Sequence, residues 1–121
     1  MAEMKKLVVV ITSGLDDEKS SVAWSVANGG VASGLDVTVF LAGPGADWAR
    51  KGAADGAHLN PFDPPMKDMV RGIMENGRLL VCPPCAKVRG YAQEDLLEGA
   101  VLVGSKAIHE AILEGAATLA F

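Results

Sequence analysis

Leu7-Val8-Val9-Val10-Ile11 is the feature that most restricts how this chain can fold. A short, uninterrupted, β-branched apolar run suits a strand buried on both faces, as strands are in a parallel sheet covered by helices. Similar runs recur at residues 36–42, 78–81, 100–103 and 118–121. Helical patterns separate them, so five strands are expected in a mainly parallel sheet, with right-handed crossovers placing helices on both faces. The predicted architecture is α/β: a flavodoxin-like three-layer α/β/α fold. No repeat, linker or low-complexity tract divides the 121 residues, which read as one domain over 1–121, long enough to bury a core without staples.

The segments between strands carry helix punctuation. Asp16-Asp17 offers a capping aspartate for a helix over 18–33, closed by Gly34. Gly29-Gly30 inside it costs on the order of 1 kcal/mol per glycine against alanine, which points to close packing on the sheet or on a neighbouring chain. Gly43-Pro44-Gly45 breaks the second strand, and a short helix is expected over 47–51, ending at Gly52. Residues 60–65 read as a loop in which Asp63 caps a helix with proline in its first turn. That helix shows Met66, Met69, Val70 and Ile73 on one face and stops at Gly77. A turn over 94–98 and a helix over 105–114 complete the pattern.

Composition excludes several classes of partner. Half the residues are hydrophobic, yet no apolar run approaches the roughly 18 residues of a membrane helix. The start, Met1-Ala2-Glu3-Met4-Lys5-Lys6, lacks the apolar core and cleavage site of a secretory signal, so a soluble, cytoplasmic protein is expected. A net charge of −4 without a basic cluster argues against nucleic acid, and six aromatic residues leave little for a base-stacking platform.

Both cysteines of the chain lie in Cys82-Pro83-Pro84-Cys85, at the end of the strand over 78–81, where a parallel α/β fold presents its chemistry. In a reducing compartment this spacing reads as redox or catalytic before structural. A residue before proline is pushed out of the helical region, so Cys82 and Pro83 are expected to be extended, with Pro83 as the cap and the helix starting at Pro84. Cys82 then faces the free amides of Cys85 and Ala86. The helix dipole, Lys87 and Arg89 favour its thiolate, making Cys82 the nucleophile and Cys85 a resolving or assisting thiol. The alternative is a pair of small buried hydrophobes at a tight turn, since free cysteine is often core.

The strand followed by Cys82-x-x-Cys85-x-x-x-Arg89-Gly90 resembles the DsrE/DsrF-like family, especially its YchN-like branch. The likeness extends to the opening strand with Thr12-Ser13-Gly14, to the strand over 37–41 with its Gly43 loop, and to the closing Val103-Gly104 helix. It implies a small α/β protein that assembles into a homotrimer or homohexamer. Several members relay sulfur as a cysteine persulfide during sulfur oxidation or tRNA thiolation. By the same likeness Cys82 aligns with the sulfur-carrying cysteine and Arg89 with the arginine of the motif. The sequence departs from many sulfur-relay members at Pro83-Pro84 and Cys85, a second thiol that offers release of the sulfur through a disulfide.

Other candidates read as structural. Gly43-Pro44-Gly45 follows a strand, but Trp48 stands where the third glycine of a dinucleotide loop belongs. Gly104-Ser105-Lys106 has the wrong order for a phosphate loop, so no cofactor is expected. A closed zinc site needs four ligands, and His58 and His109 are the only histidines, each read as a surface residue; no metal is expected. Trp24 lies off the Val22-Val26 stripe and is expected to face outward, either as a half-covered tryptophan on a monomer or, with Val31, Trp48 and the methionine-rich helix, as an apolar patch that marks self-association.

Three functions fit these residues. The leading one is a sulfur-transfer protein whose Cys82 accepts sulfane sulfur from a donor protein or small thiol and passes it to an acceptor. The second is a thiol–disulfide protein cycling a Cys82–Cys85 bridge, although the flanking tryptophan of thioredoxin-like sites is missing. The third is a non-catalytic oligomeric binding subunit with incidental cysteines.

Overall fold

The computed structural model describes residues 4–121; Met1, Ala2 and Glu3, the start of the segment read above for a leader, lie outside the described residues. Five strands form one sheet: β1 (Lys6–Ile11), β2 (Asp36–Leu41), β3 (Arg78–Val81), β4 (Val101–Leu102) and β5 (Ala117–Ala120). Their order is β4-β3-β2-β1-β5, and every neighbouring pair is parallel. The helices are α1 (Lys19–Ala32), α2 (Met66–Asn76), α3 (Pro83–Val88) and α4 (Lys106–Leu113). None of the described helices is long and apolar enough to cross a membrane.

The sheet grows in one direction from β1 to β4 and then returns to the far side of β1 for β5. Right-handed crossovers therefore put α4 on the face opposite α1 and α2. The flavodoxin-like α/β architecture holds. The register aligns Val9 with Val39 and Leu119, and Val39 with Leu79. On that face Leu7, Val9, Ile11, Val37, Val39, Leu41, Leu79 and Val81 meet buried residues of α1 and α2 in one core. The other face is sparsely covered: no residue of α4 is buried, and Val101 at the β4 edge is half exposed.

The first helix reverses the sequence expectation for its faces. Trp24 is fully buried, whereas Val22 is 50% exposed. The buried side is made of Ser20, Ser21, Ala23, Trp24, Ala27 and Gly30, small residues that let the helix approach the sheet and leave room for one large ring. That ring packs edge-on against buried Trp48, with centroids 6.2 Å apart. Neither tryptophan belongs to a surface patch. Gly30 is the glycine that packing requires, because a Cβ there would meet Leu7 and Val37 at 3.0 Å; Gly29 has open space.

Two boundaries also differ. The turn after β2 is a 3-10 helix over Gly43–Ala49, directly at the strand end, in place of a helix over 47–51. The Asp63 cap is replaced by Pro65 at the N-terminus of α2, where no side chain caps. The proline supplies the fixed φ of a helix entry, and the preceding loop is held by Asn60, whose side chain accepts from the Phe62 amide. At the start of α1 the expected aspartate is in place: Glu18 is the N-cap, and Asp17 just before it accepts the Lys19 amide at 2.9 Å.

Candidate functional site

Cys82 is placed by the sheet. Its amide donates to the Leu41 carbonyl at 2.9 Å, extending the β2–β3 ladder by one residue. It is extended (φ −61°, ψ 120°), as a residue before proline should be. The helix, however, starts one residue earlier than expected: Pro83 is its first residue and Cys82 its N-cap. Both prolines fit the first turn, where an N–H has no acceptor in any case. The first turn closes when the Ala86 amide donates to the Cys82 carbonyl, so this amide is not free to face the sulfur.

The same turn brings the two thiols together. Cys85 Sγ and Cys82 Sγ share a hydrogen bond at 2.6 Å, and both cysteines are free and half-buried. From the β2 side the Gly43 amide donates to Cys85 Sγ at 3.1 Å. Gly43 has φ +53°, a left-handed conformation that glycine adopts without strain. Close packing holds that turn in place: a Cβ on the neighbouring Gly45 would lie 2.1 Å from the Ile11 carbonyl oxygen.

Burial pushes the Cys82 thiol above its ordinary value, and its side-chain hydrogen bond with Cys85 pushes it further. The Cys85 amide pulls it down, negative charge on Cys85 raises it, and the Arg89 charge lowers it with the smallest effect of the five. This corrects the expectation of a thiolate stabilised by Lys87 and Arg89. A half-buried pair of thiols resists a second negative charge more strongly than one distant cation can offset.

Arg89 serves a different purpose from the expected one. Its guanidinium donates to the Cys85 carbonyl at 3.1 Å and lies 3.6 Å from the Asp47 carboxylate. Tyr91 Oη donates to the same carboxylate at 2.5 Å; burial first, then this bond, raises the tyrosine's pKa. Lys87 is exposed.

The Arg89-Gly90 pair explains this placement. Arg89 is the C-cap of α3 and Gly90, at φ +78°, follows it. The Gly90 amide donates to Lys87 O and the Tyr91 amide to Ala86 O, the two bonds of a Schellman motif. Tyr91 is thereby turned back onto the 3-10 helix that carries Asp47.

Sequence reasoning found Cys82, Cys85 and Arg89, and the structure brings all three into one cluster. It missed Gly43, Asp47 and Tyr91. The adjacency of β2 and β3 was the signal for Gly43, since neighbouring parallel strands end side by side. The glycine at the end of α3 was the signal for Tyr91. Two clefts adjoin the cluster. One of about 350 Å³ includes Arg50, Arg89 and Tyr91; another of about 460 Å³ includes Ser13, Pro44 and Asp47. His58 and His109 are both exposed. Among the described residues no group of His, Cys, Asp and Glu side chains has the arrangement of a metal site.

Comparison with known proteins bears on the fold and the family. The chain is 32% identical over 101 residues to the uncharacterized protein MJ0989 of Methanocaldococcus jannaschii, spanning 82% of this chain and 83% of that one. The uncharacterized protein MJ0760 of the same organism is 30% identical over 107 residues, 87% of this chain but 38% of its own length. Two solved structures share the fold. The ychN protein from E. coli superposes with a TM-score of 0.77 at 19% identity, and protein MTH1491 from Methanobacterium thermoautotrophicum with 0.71 at 18%. Each match covers 98% of this chain and 100% of the other. The family model described as DsrE/DsrF-like matches residues 4–121, and the chain belongs to that family.

Proposed function

We propose that this is a sulfur-transfer protein in which Cys82 takes up sulfane sulfur as a persulfide and passes it to another thiol. The observation that carries this reading is the position of Cys82, held by the sheet at the C-terminal end of β3 with a second thiol in contact. Membership of a sulfur-relay type of family supports it. In loading, Cys82 sulfur attacks the outer sulfur of a donor persulfide and the donor leaves as its thiolate; in delivery, an acceptor thiol attacks the outer sulfur and Cys82 leaves. Donor and acceptor are proteins or small thiols of the cytoplasm. Arg89 tempers the charge on Cys82 and fixes the helix that carries the site.

The proposed assembly is a homotrimer or homohexamer. Its support is the thinly covered sheet face, where Ile112 of α4 is 47% and Leu113 85% exposed. Loading is tested by incubating the protein with inorganic polysulfide and mapping the added sulfur by mass spectrometry. One extra sulfur on the Cys82 peptide is expected; an unmodified Cys82, or equal loading of Cys82→Ser, overturns the reading.

A second reading, dithiol–disulfide exchange, is favoured by the 2.6 Å approach of the two thiols. Redox titration against glutathione separates the two: exchange requires a Cys82–Cys85 couple that is half-oxidised within the cellular range of potentials.

A further inference from the structure

We infer that Cys85 ends the life of a persulfide on Cys82 by displacing its outer sulfur as hydrogen sulfide, which leaves a Cys82–Cys85 disulfide. This rests on the proposal that Cys82 carries the persulfide and adds what becomes of it when no acceptor is at hand.

Three observations lead to this step. The Cys85 sulfur touches Cys82 Sγ itself, the atom that would be the inner sulfur of the persulfide. The Gly43 amide holds the attacking sulfur from the β2 side, at 3.1 Å. The Cys85 carbonyl is fixed by Arg89 and the turn is closed by the Ala86 amide, so the pair is held together by the backbone of α3.

Attack can in principle fall on either sulfur of a persulfide. On the outer sulfur it would move the persulfide to Cys85 and expel the Cys82 thiolate. On the inner sulfur it expels hydrosulfide. Contact favours the inner sulfur, because the outer one projects beyond Cys82 Sγ. The leaving group favours it too: thiol–disulfide chemistry is faster with the anion of the stronger acid, and burial makes Cys82 a weak one.

The step balances: the Cys82 persulfide and the Cys85 thiol give the Cys82–Cys85 disulfide and one molecule of hydrogen sulfide. The Cys85–Cys82 sulfur bond forms and the sulfane bond breaks. The outer sulfur takes two electrons from the cysteine pair, and the Cys85 proton leaves with it. A further cycle needs a dithiol reductant, which opens the bridge and is itself oxidised to a disulfide. Delivery to an acceptor thus competes with an internal clock, and the chain has two products: transferred sulfur or free sulfide.

The test loads the full-length wild type and Cys85→Ser with inorganic polysulfide, removes the excess without reductant, and follows intact mass, free sulfide and the Cys82 and Cys85 peptides. Wild type should shed one sulfide per chain and finish with a Cys82–Cys85 disulfide. Cys85→Ser should keep its extra sulfur on Cys82 for at least about tenfold longer, since an intramolecular thiol acts at high effective concentration. Cys85→Ala, with folding checked by circular dichroism, should behave as Cys85→Ser does.

A wild-type persulfide as long-lived as that of the Cys85 variants overturns the release step and leaves the carrier reading standing. Sulfide release without the disulfide overturns it as well. Failure of all three proteins to load overturns both.

Discussion

Arg89 Nε lies 3.6 Å from Asp47 Oδ1, so the cation of the Cys-x-x-Cys-x-x-x-Arg-Gly motif faces a carboxylate of the neighbouring 3-10 helix. The pair joins the end of α3 to the loop whose Gly43 amide touches Cys85. In this arrangement Arg89 is a positioning residue for the cysteine turn, and its charge reaches Cys82 only as a minor influence.

Substituting either partner should therefore break the ion pair. Arg89→Gln and Asp47→Asn are each expected to destabilise the fold by about 0.2–1 kcal/mol, the range for an exposed ion pair. The double variant should cost less than the sum of the two, as a cycle measured by urea unfolding reports. If Arg89 instead binds the persulfide anion directly, Arg89→Gln alone will slow polysulfide loading and Asp47→Asn will leave it unchanged.

The Cys82 thiol should titrate above its ordinary value of 9.0, for which burial is the first cause and the Cys85 hydrogen bond the second. Its alkylation by iodoacetamide should keep rising with pH beyond the point where a solvent-exposed thiol has levelled off. Cys85→Ala removes the hydrogen bond and the neighbouring negative charge that raise it, so the profile should move to lower pH. Arg89→Gln removes a lowering influence and should shift it slightly upward. A wild-type profile lying below that of an exposed thiol would contradict the structure.

The layout of the sheet was legible because continuous β-branched runs such as residues 7–11 have few other ways to be buried. Cys82, Cys85 and Arg89 were legible because their spacing fits one short helix begun by prolines and ended by glycine. The faces of α1 were not. Its buried side holds Ser20, Ser21 and Gly30, and a hydropathy stripe assigns such residues to solvent. Seryl groups are accommodated there because they have partners: Ser20 Oγ donates to the Gly14 carbonyl at 2.6 Å and accepts from Trp48 Nε1 at 3.2 Å. The Asp47–Tyr91 contact was also invisible, since it joins residues 44 apart through a turn whose direction depends on one positive φ.

Alkaline pH should weaken the fold through two groups. Tyr91 is raised above 10.0 and Cys82 above 9.0, so the folded chain keeps protons that the unfolded chain has already released. Their stabilising contribution is complete below those ordinary values and is lost as pH climbs through the raised ones. The melting temperature should begin to fall near pH 9. Tyr91→Phe should flatten the part of that fall above pH 10, while Cys82→Ser flattens the earlier part. A melting temperature independent of pH between 8 and 11 would contradict both assignments.

Gly29 and Gly45 should respond in opposite directions to the same substitution. Gly29 is exposed within the last turn of α1, and a Cβ there meets nothing within 4 Å. Gly29→Ala should therefore stabilise the protein by about 0.5–1 kcal/mol, the helix-interior difference between the two residues. Gly45 is buried, and its Cβ would sit 2.1 Å from the Ile11 carbonyl oxygen, a backbone atom that cannot swing aside. Gly45→Ala should destabilise by about 1–3 kcal/mol, as other overpacked sites do. Because Gly45 seats the turn that carries Gly43, the same change should also draw the Gly43 amide off Cys85 and alter the alkylation rate of that cysteine, whereas Gly29→Ala should leave it untouched. Equal effects of the two substitutions on stability would show that the turn after β2 is not clamped against β1.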